Sequence, residues 1–344
     1  MPRPRLCLAL LAASATVATA CGSASHHKVV AAPALTPATV SPTPTTPTDL
    51  CPLTGVAAKP GQQIDRAPLA VKIDNIDLAR PQSGVDKADV VIEELVEGGL
   101  TRLMAIFQCD GASNLGPIRS ARTSDADMLA LLHGSVFGYS GANPAALPPV
   151  RAHGNTVLIP FDSLPQYFHR LSSRPAPHNV FSDTETILKA GLARRKNLTA
   201  PKPLFSYGDL GTTATPATSV SMSWPDASAA WRWNGTSWLR TQNGTPDVLT
   251  SGARVKADNV IVMQIHIAGT GIRDVAGNAS PLDVTIGSGK AWVFRDGSVV
   301  AGTWHRAAIR SALTFVDAAG TAIALHPGRT WIELLPRPRL PKIS

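Results

Sequence analysis

DNIDLARPQSGVDKADVVIEELVEGGLTRLMAIF, residues 74–107, followed by GPIRSAR, residues 116–122, decides how the first half of this chain is read. Asp74, Asn75, Arg80, Gln82, Glu93, Glu97, Arg102, Arg119 and Arg122 sit among short apolar runs in this stretch. A segment that only builds a core has no need of so many polar groups where strands end and turns begin. Working outward, PLAVKIDNI (68–76), ADVVIEELV (88–96), LTRLMAIFQC (100–109), SVFGYS (135–140) and TVLIPF (156–161) read as strands. Ser124 to Leu132 and Asp183 to Arg194 read as helices, and the alternation predicts a mixed α/β layer structure. If Gly98-Gly99 is a two-residue hairpin turn, Leu95 faces Arg102, and Glu93, Leu95 and Glu97 share a face with that arginine. Such a face is an ion-pair cluster rather than an acid and base pair. Four residues of strand separate the two Cα atoms by about 13 Å, whereas the carboxylates of a glycosidase lie roughly 5–9.5 Å apart.

The N-terminus predicts export. Arg3 and Arg5 precede an apolar run from Leu6 to Val17, and Ala18-Thr19-Ala20 forms a small-residue cleavage site before Cys21. The run is too short to span a bilayer, which needs about 20 apolar residues. Cys21-Gly22-Ser23 has the form of a lipobox, so residues 1–20 are read as a signal peptide and Cys21 as a lipidated N-terminus on the outer face of the cytoplasmic membrane. Residues 21–50, rich in Ala, Thr, Pro, Ser and Val, cannot bury enough apolar surface to fold and read as a tether. At about 3.1 Å per residue it reaches up to roughly 90 Å. His26 and His27 lie on this tether without further ligands, so no metal site is expected. Of four cysteines, Cys7 leaves with the leader and Cys21 is used by lipid. Cys51 and Cys109 then form an even pair, a candidate disulfide in an oxidising compartment.

The remaining chain divides at a composition shift. Residues 51–195 form the expected α/β domain and 196–218 a linker; 219–336 form a smaller, mostly antiparallel β domain and 337–344 a basic tail, giving an α+β chain overall. Asn234-Gly235, Asn243-Gly244 and Asp296-Gly297 read as hairpin turns between alternating runs. All seven tryptophans lie in this second domain, where aromatic residues build a small core more readily than a sugar-stacking face. The wording of residues 74–122, with WLRTQNG, DNVIVM, FRDGSVVAGTW and LHPGRTWIEL further on, resembles the YerB-like lipoproteins, a bacterial family carrying the N- and C-terminal domains of unknown function 3048. The resemblance runs from about Cys51 to Leu335. It implies two domains and a lipoprotein, and no reaction.

The candidate site residues follow from position. Asp74-Asn75 ends a strand and Arg80 follows in the loop, where α/β proteins place ligands. Gly116 to Thr123 bends after a strand and leads to a helix with a Ser124–Asp127 capping-box pattern. Arg119 and Arg122 there could hold phosphate or carboxylate, or pair with Asp74, Asp77 or Glu97 within the fold. Arg102 joins them as a cation. The segment around His178 and Asn179 reads as the corresponding segment of the resembled family does, so both join the set. No GxSxG elbow, P-loop, HExxH or spaced His/Cys/Asp cluster is present, and neither a cofactor nor a metal is expected. Removing Arg3 and Arg5 with the leader leaves +6 of the formal +8 charge. Outside the cell such an excess meets membrane lipid, anionic wall polymer or a membrane protein rather than nucleic acid. Two readings follow. One is a tethered protein binding an anionic envelope ligand or an envelope partner. The other is an enzyme on a phosphorylated or anionic glycan precursor, with Asp74, Glu97 or His178 moving a proton; it requires Asp74, Arg119, Arg122 and His178 to line one pocket.

Overall fold

The computed structural model describes residues 49–344, Gly154 excepted. Cys21 and most of the tether lie outside the described residues. The fold is mostly β-strand with few helices. The first half supplies β1 (Leu69–Asp74), β2 (Val90–Leu95), β3 (Thr101–Phe107), β4 (Ser135–Tyr139) and β5 (Thr156–Pro160). Every residue of β1 to β4 is buried, which is why these strands read as near-continuous apolar runs rather than as alternating ones. Its helices are α1 (Asp125–Ala130), α2 (Leu147–His153) and α3 (Thr184–Arg194). Asp183 caps α3 by accepting from the Thr186 amide at 2.8 Å. The expected Ser124–Asp127 box does not form. α1 is only six residues long, and the Ser124 hydroxyl is drawn away to Asp283 at 3.1 Å.

The second half begins with a small antiparallel sheet around β6 (Ser219–Ser223), β7 (Ser228–Trp233) and β8 (Trp238–Gln242). It continues through β9 (Asn259–Arg273), β10 (Ala279–Val284), β11 (Gly287–Arg295), β12 (Ser298–Arg306), β13 (Thr314–Asp317) and β14 (Thr330–Pro336). These later strands join those of the first half in one mixed sheet, ordered β13-β12-β11-β9-β14-β2-β3-β1-β4-β5. β14 is the seam: it runs parallel to both β9 and β2. The segments 51–195 and 219–336 therefore share a sheet, and the described residues form one compact unit.

Both faces of the large sheet are covered. On one, Leu69, Val71 and Phe107 pack with Ile187 of α3 and with Trp224, Trp231 and Trp238 of the small sheet. On the other, Ala70, Ile92, Met104 and Ile106 pack with Met128 and Leu129 of α1. Trp304 and Trp331 are buried as well, and Trp233 and Trp292 are half-buried against the core. Among the described residues no exposed row of tryptophan rings presents itself to a sugar. Asn243-Gly244 and Asp296-Gly297 are two-residue turns whose residues all have positive φ, as their sequence predicts. Cys51 and Cys109 are disulfide-bonded, with Cα atoms 5.9 Å apart. In the chain-entropy account a loop of this length stabilises by about 4 kcal/mol.

The turn at Gly98-Gly99 departs from the expectation. Leu95 pairs with Thr101 and Glu94 with Arg102, so residues 96–100 form the loop, with Glu97–Gly99 wound into a single 3-10 turn. Gly99 is wedged against the small sheet, where an added Cβ would lie 2.7 Å from Pro225, and its carbonyl accepts from the Asp226 amide at 2.9 Å. The register differs by one residue from that of a two-residue turn, which transfers side chains to the opposite face. Arg102 is thereby aligned with Glu94 and not with Leu95, and Glu93 leaves the face it was expected to share with Arg102. Glu93 turns instead toward the small sheet, where Arg240 meets it.

Candidate functional site

The observed register places Asp74 and Glu94 on either side of Arg102, in one row across β1, β3 and β2. Two residues back on β1, Lys72 shares that face. This end of the sheet is charged where the rest of the face is apolar. Residues 117–122 lie along it: the Arg119 amide donates to the Lys72 carbonyl at 2.8 Å, and the Asp74 amide to the Pro117 carbonyl at 2.9 Å. That backbone pairing brings Arg119 and Arg122 over the row. Arg119 Nε donates to Asp74 Oδ2 at 3.1 Å, and Arg122 Nε to Glu97 Oε2 at 2.7 Å. Burial would raise the Glu97 carboxyl, but Arg122 and the Ser280 hydroxyl at 2.7 Å hold it below the usual carboxylate range.

The cover comes from the second half of the chain. β9 leaves the large sheet after Ile265 and continues with β10 as a two-stranded arm, bulged between Gly269 and Arg273. Its tip carries Arg273, Asp274 and the exposed Val275. The arm is fixed by Ser280 on Glu97, by Asp283 on Ser124, and by the Asn143 amide on the Arg273 carbonyl at 2.9 Å. A cavity of about 410 Å³ lies between arm and sheet, with Arg102, Arg119, Arg122 and Arg273 in its lining and Glu97 and Asp274 beside them.

Arg102 is the exceptional group. It is 9% exposed and pairs with no carboxylate among the described residues. Among the described residues its side chain makes one hydrogen bond, a long 3.5 Å approach of Nη1 to the Ser120 carbonyl. Glu94, its cross-strand neighbour, gives its carboxylate to Lys72. Burial, and next the Arg122 guanidinium, push Arg102 down to about 9. A guanidinium keeps its proton at neutral pH, so the depression expresses a buried cation whose neighbouring carboxylates, Asp74 and Glu97, attract it without pairing with it and offset only part of its desolvation.

The other expected residues divide. His178 Nδ1 lies 2.7 Å from Asp74 Oδ2, on the oxygen that Arg119 also uses, but His178 does not line the cavity. Asn75 turns to the opposite face, where its amide donates to Glu93 Oε1 at 3.0 Å and Thr101 Oγ1 at 2.9 Å. Asn179 is held by Arg170 at 2.5 Å and Arg80 pairs with Asp77, so neither reaches the cavity. The structure brings together Asp74, Glu97, Arg102, Arg119 and Arg122, with His178 behind them.

A buried cluster beneath the site escapes the sequence reading. Lys72 Nζ pairs with Glu94 and, at 2.6 Å, with Asp125, all fully buried. Asp283 accepts from Ser124 Oγ and, at 3.3 Å, from the Leu95 amide. The only sequence signal is a lysine inside the apolar run LAVKID. Burial is the largest cause raising both Glu94 and Asp283, with Asp125 adding repulsion to each. Asp89, 2% exposed, is raised to about 6, again first by burial. Carboxyls raised in the folded state bind protons that the unfolded chain has lost, so their stabilisation is complete below the ordinary carboxylate range, about pH 4, and disappears as pH rises through their folded values. Melting temperature should accordingly fall between about pH 4 and pH 8, and Glu94→Gln should flatten that fall. Stability that climbs over this interval would contradict the protonated cluster.

The family profile described as the N-terminal domain of the protein of unknown function DUF3048 matches residues 53–198, and its C-terminal counterpart matches residues 219–332. A Bacillus subtilis (strain 168) protein named as a lipoprotein, YerB, is 28% identical over 299 residues, covering 83% of this chain and 86% of its own. The crystal structure of YerB from Bacillus subtilis superposes with a TM-score of 0.72 at 26% identity, covering 86% of this chain and 99% of the other. The charged face of β1–β3 lies within the first matched segment and the arm that covers it within the second. This chain belongs to the DUF3048 family, a family of unknown function.

Proposed function

We propose that this protein is an exported lipoprotein that binds an anionic envelope ligand in the cavity beneath the β9–β10 arm. The observation that carries the reading is Arg102, a buried cation without a counter-ion in a cavity already lined by Arg119 and Arg122. A buried charge that its neighbours only partly compensate is costly, and a site retains such an arrangement when a ligand supplies further charge. The similarity to a protein named as a lipoprotein supports anchoring by lipid, and no helix among the described residues is long and apolar enough to cross a membrane. The anchor itself we assign to Cys21. Cys21→Ala should release the protein from membranes or leave an unprocessed precursor, and wild-type processing and fractionation would refute the assignment.

The enzyme reading draws on the Asp74–His178 hydrogen bond, which orients an imidazole next to Arg119. Since His178 stands outside the cavity lining, binding is the better supported of the two. Thermal melting of wild type and Arg102→Gln with added multivalent anion tests it. Stabilisation of wild type alone supports the pocket, and an equal response in both proteins refutes it.

A further inference from the structure

Resting on the anion-binding reading, the geometry points to the ligand class: we infer that the cavity takes a terminal phosphoryl group, as in a phosphomonoester or diphosphate, rather than a carboxylate. The argument lies in which atoms of the arginines are engaged. Asp74 and Glu97 grip Arg119 and Arg122 through Nε. Among the described residues no acceptor meets Nη1 or Nη2 of Arg119, or Nη2 of Arg122, whose Nη1 goes to the Ala121 carbonyl at 2.8 Å. The carboxylates fix the guanidinium planes and leave terminal N–H groups for something else. Arg102 adds a third guanidinium, almost wholly unengaged.

Three guanidiniums from separate backbone positions make a demand that a carboxylate does not meet. A carboxylate has two oxygens in one plane and matches a single fork. A terminal phosphoryl group has three acceptor oxygens in a pyramid and close to two negative charges at neutral pH. It can receive Arg102, Arg119 and Arg122 together, and its two charges answer Arg102 and Arg273, the two lining arginines that among the described residues pair with no carboxylate. A phosphodiester carries one charge and two free oxygens and fits less well. At about 410 Å³ the cavity exceeds a phosphoryl group alone. Ala142, Pro144 and Val275 give the surplus an apolar wall, so an organic body accompanies the phosphoryl head. That body could belong to a lipid headgroup or to a soluble phosphate ester.

Calorimetric titration of the full chain in detergent, with inorganic pyrophosphate, dimethyl phosphate and acetate in turn, tests the assignment. Pyrophosphate should bind at least about ten-fold more tightly than either of the others, and Arg102→Gln should weaken it by about ten-fold or more. Arg102→Lys, which keeps the charge and loses the fork, should fall between and guards against a folding defect in the first variant. Short-chain phosphatidic acid that displaces pyrophosphate would place the ligand on a lipid; failure to displace, with pyrophosphate still bound, would place it on a soluble ester. Either result supports the phosphoryl head. Acetate or dimethyl phosphate binding as tightly as pyrophosphate, with Arg102 still required, overturns the phosphoryl class and leaves the anion site standing. Absence of binding by all three anions, or binding indifferent to Arg102, overturns both.

Discussion

Arg240→Met should destabilise the fold by about 3–5 kcal/mol, a larger loss than removal of any surface ion pair. Arg240 is fully buried, and it donates to Glu93 from the first half of the chain and to Asp247 and Gln242 from the second. Its guanidinium stacks over Trp331 at 4.7 Å. Burial alone would lower it, but Glu93 and Asp247 more than reverse that, and it is held above the ordinary arginine range. Glu333 stands beside Glu93 on the neighbouring strand and is raised well above the usual carboxylate range, by burial first and by Glu93 next. Methionine fills much of the volume but leaves Glu93 and Asp247 buried without a cation. Urea unfolding checks the size of the effect, and a loss under about 1 kcal/mol would show that the carboxylates find other partners or take up protons at little cost. Because Arg240 and Glu93 come from the two matched segments, wild type should also unfold in one transition.

Arg102→Gln should have the opposite signature. Removing a buried guanidinium that pairs with no carboxylate relieves desolvation and repulsion by Arg122 and Arg119, which together outweigh the attraction of Asp74 and Glu97. The variant should gain about 0.5–2 kcal/mol, within the range found when a functional compromise is relaxed, while losing anion affinity. Arg122→Gln is the natural contrast. It strands Glu97 and should cost stability as well as binding. A structural arginine cannot give the Arg102 result, since its loss must destabilise. Paired melting and binding measurements on the two variants therefore separate an arginine kept for a ligand from one kept for the fold.

The sequence carried the strands because the runs 68–76, 88–96 and 100–109 are apolar enough to be buried on both faces. Asn243-Gly244 and Asp296-Gly297 were legible because a two-residue turn with positive φ at both positions has few other solutions. Gly98-Gly99 has the same local chemistry, and there the tertiary contact of Gly99 with Pro225 and Asp226 prevailed. That one-residue difference hid the alignment of Asp74, Arg102 and Glu94. The pairings Arg119–Asp74 and Arg122–Glu97 were open alternatives in the sequence, and both form while both arginines also face the cavity. Arg240–Glu93 and Ser124–Asp283 join positions more than 140 residues apart and leave no local trace. The long reach of β9 beyond the sheet, which closes the site, is likewise a consequence of where β10 and β14 lie.

The most direct measurement is diffraction from crystals of this protein soaked with tungstate, a tetrahedral dianion whose position anomalous scattering reports. The account predicts one tungstate in the cavity beneath the β9–β10 arm, within hydrogen-bond reach of Arg102 and of the terminal nitrogens of Arg119 and Arg122, and absent from Arg102→Gln crystals. An empty cavity in the soaked wild-type crystal, or tungstate bound only at surface lysines and arginines, would contradict it.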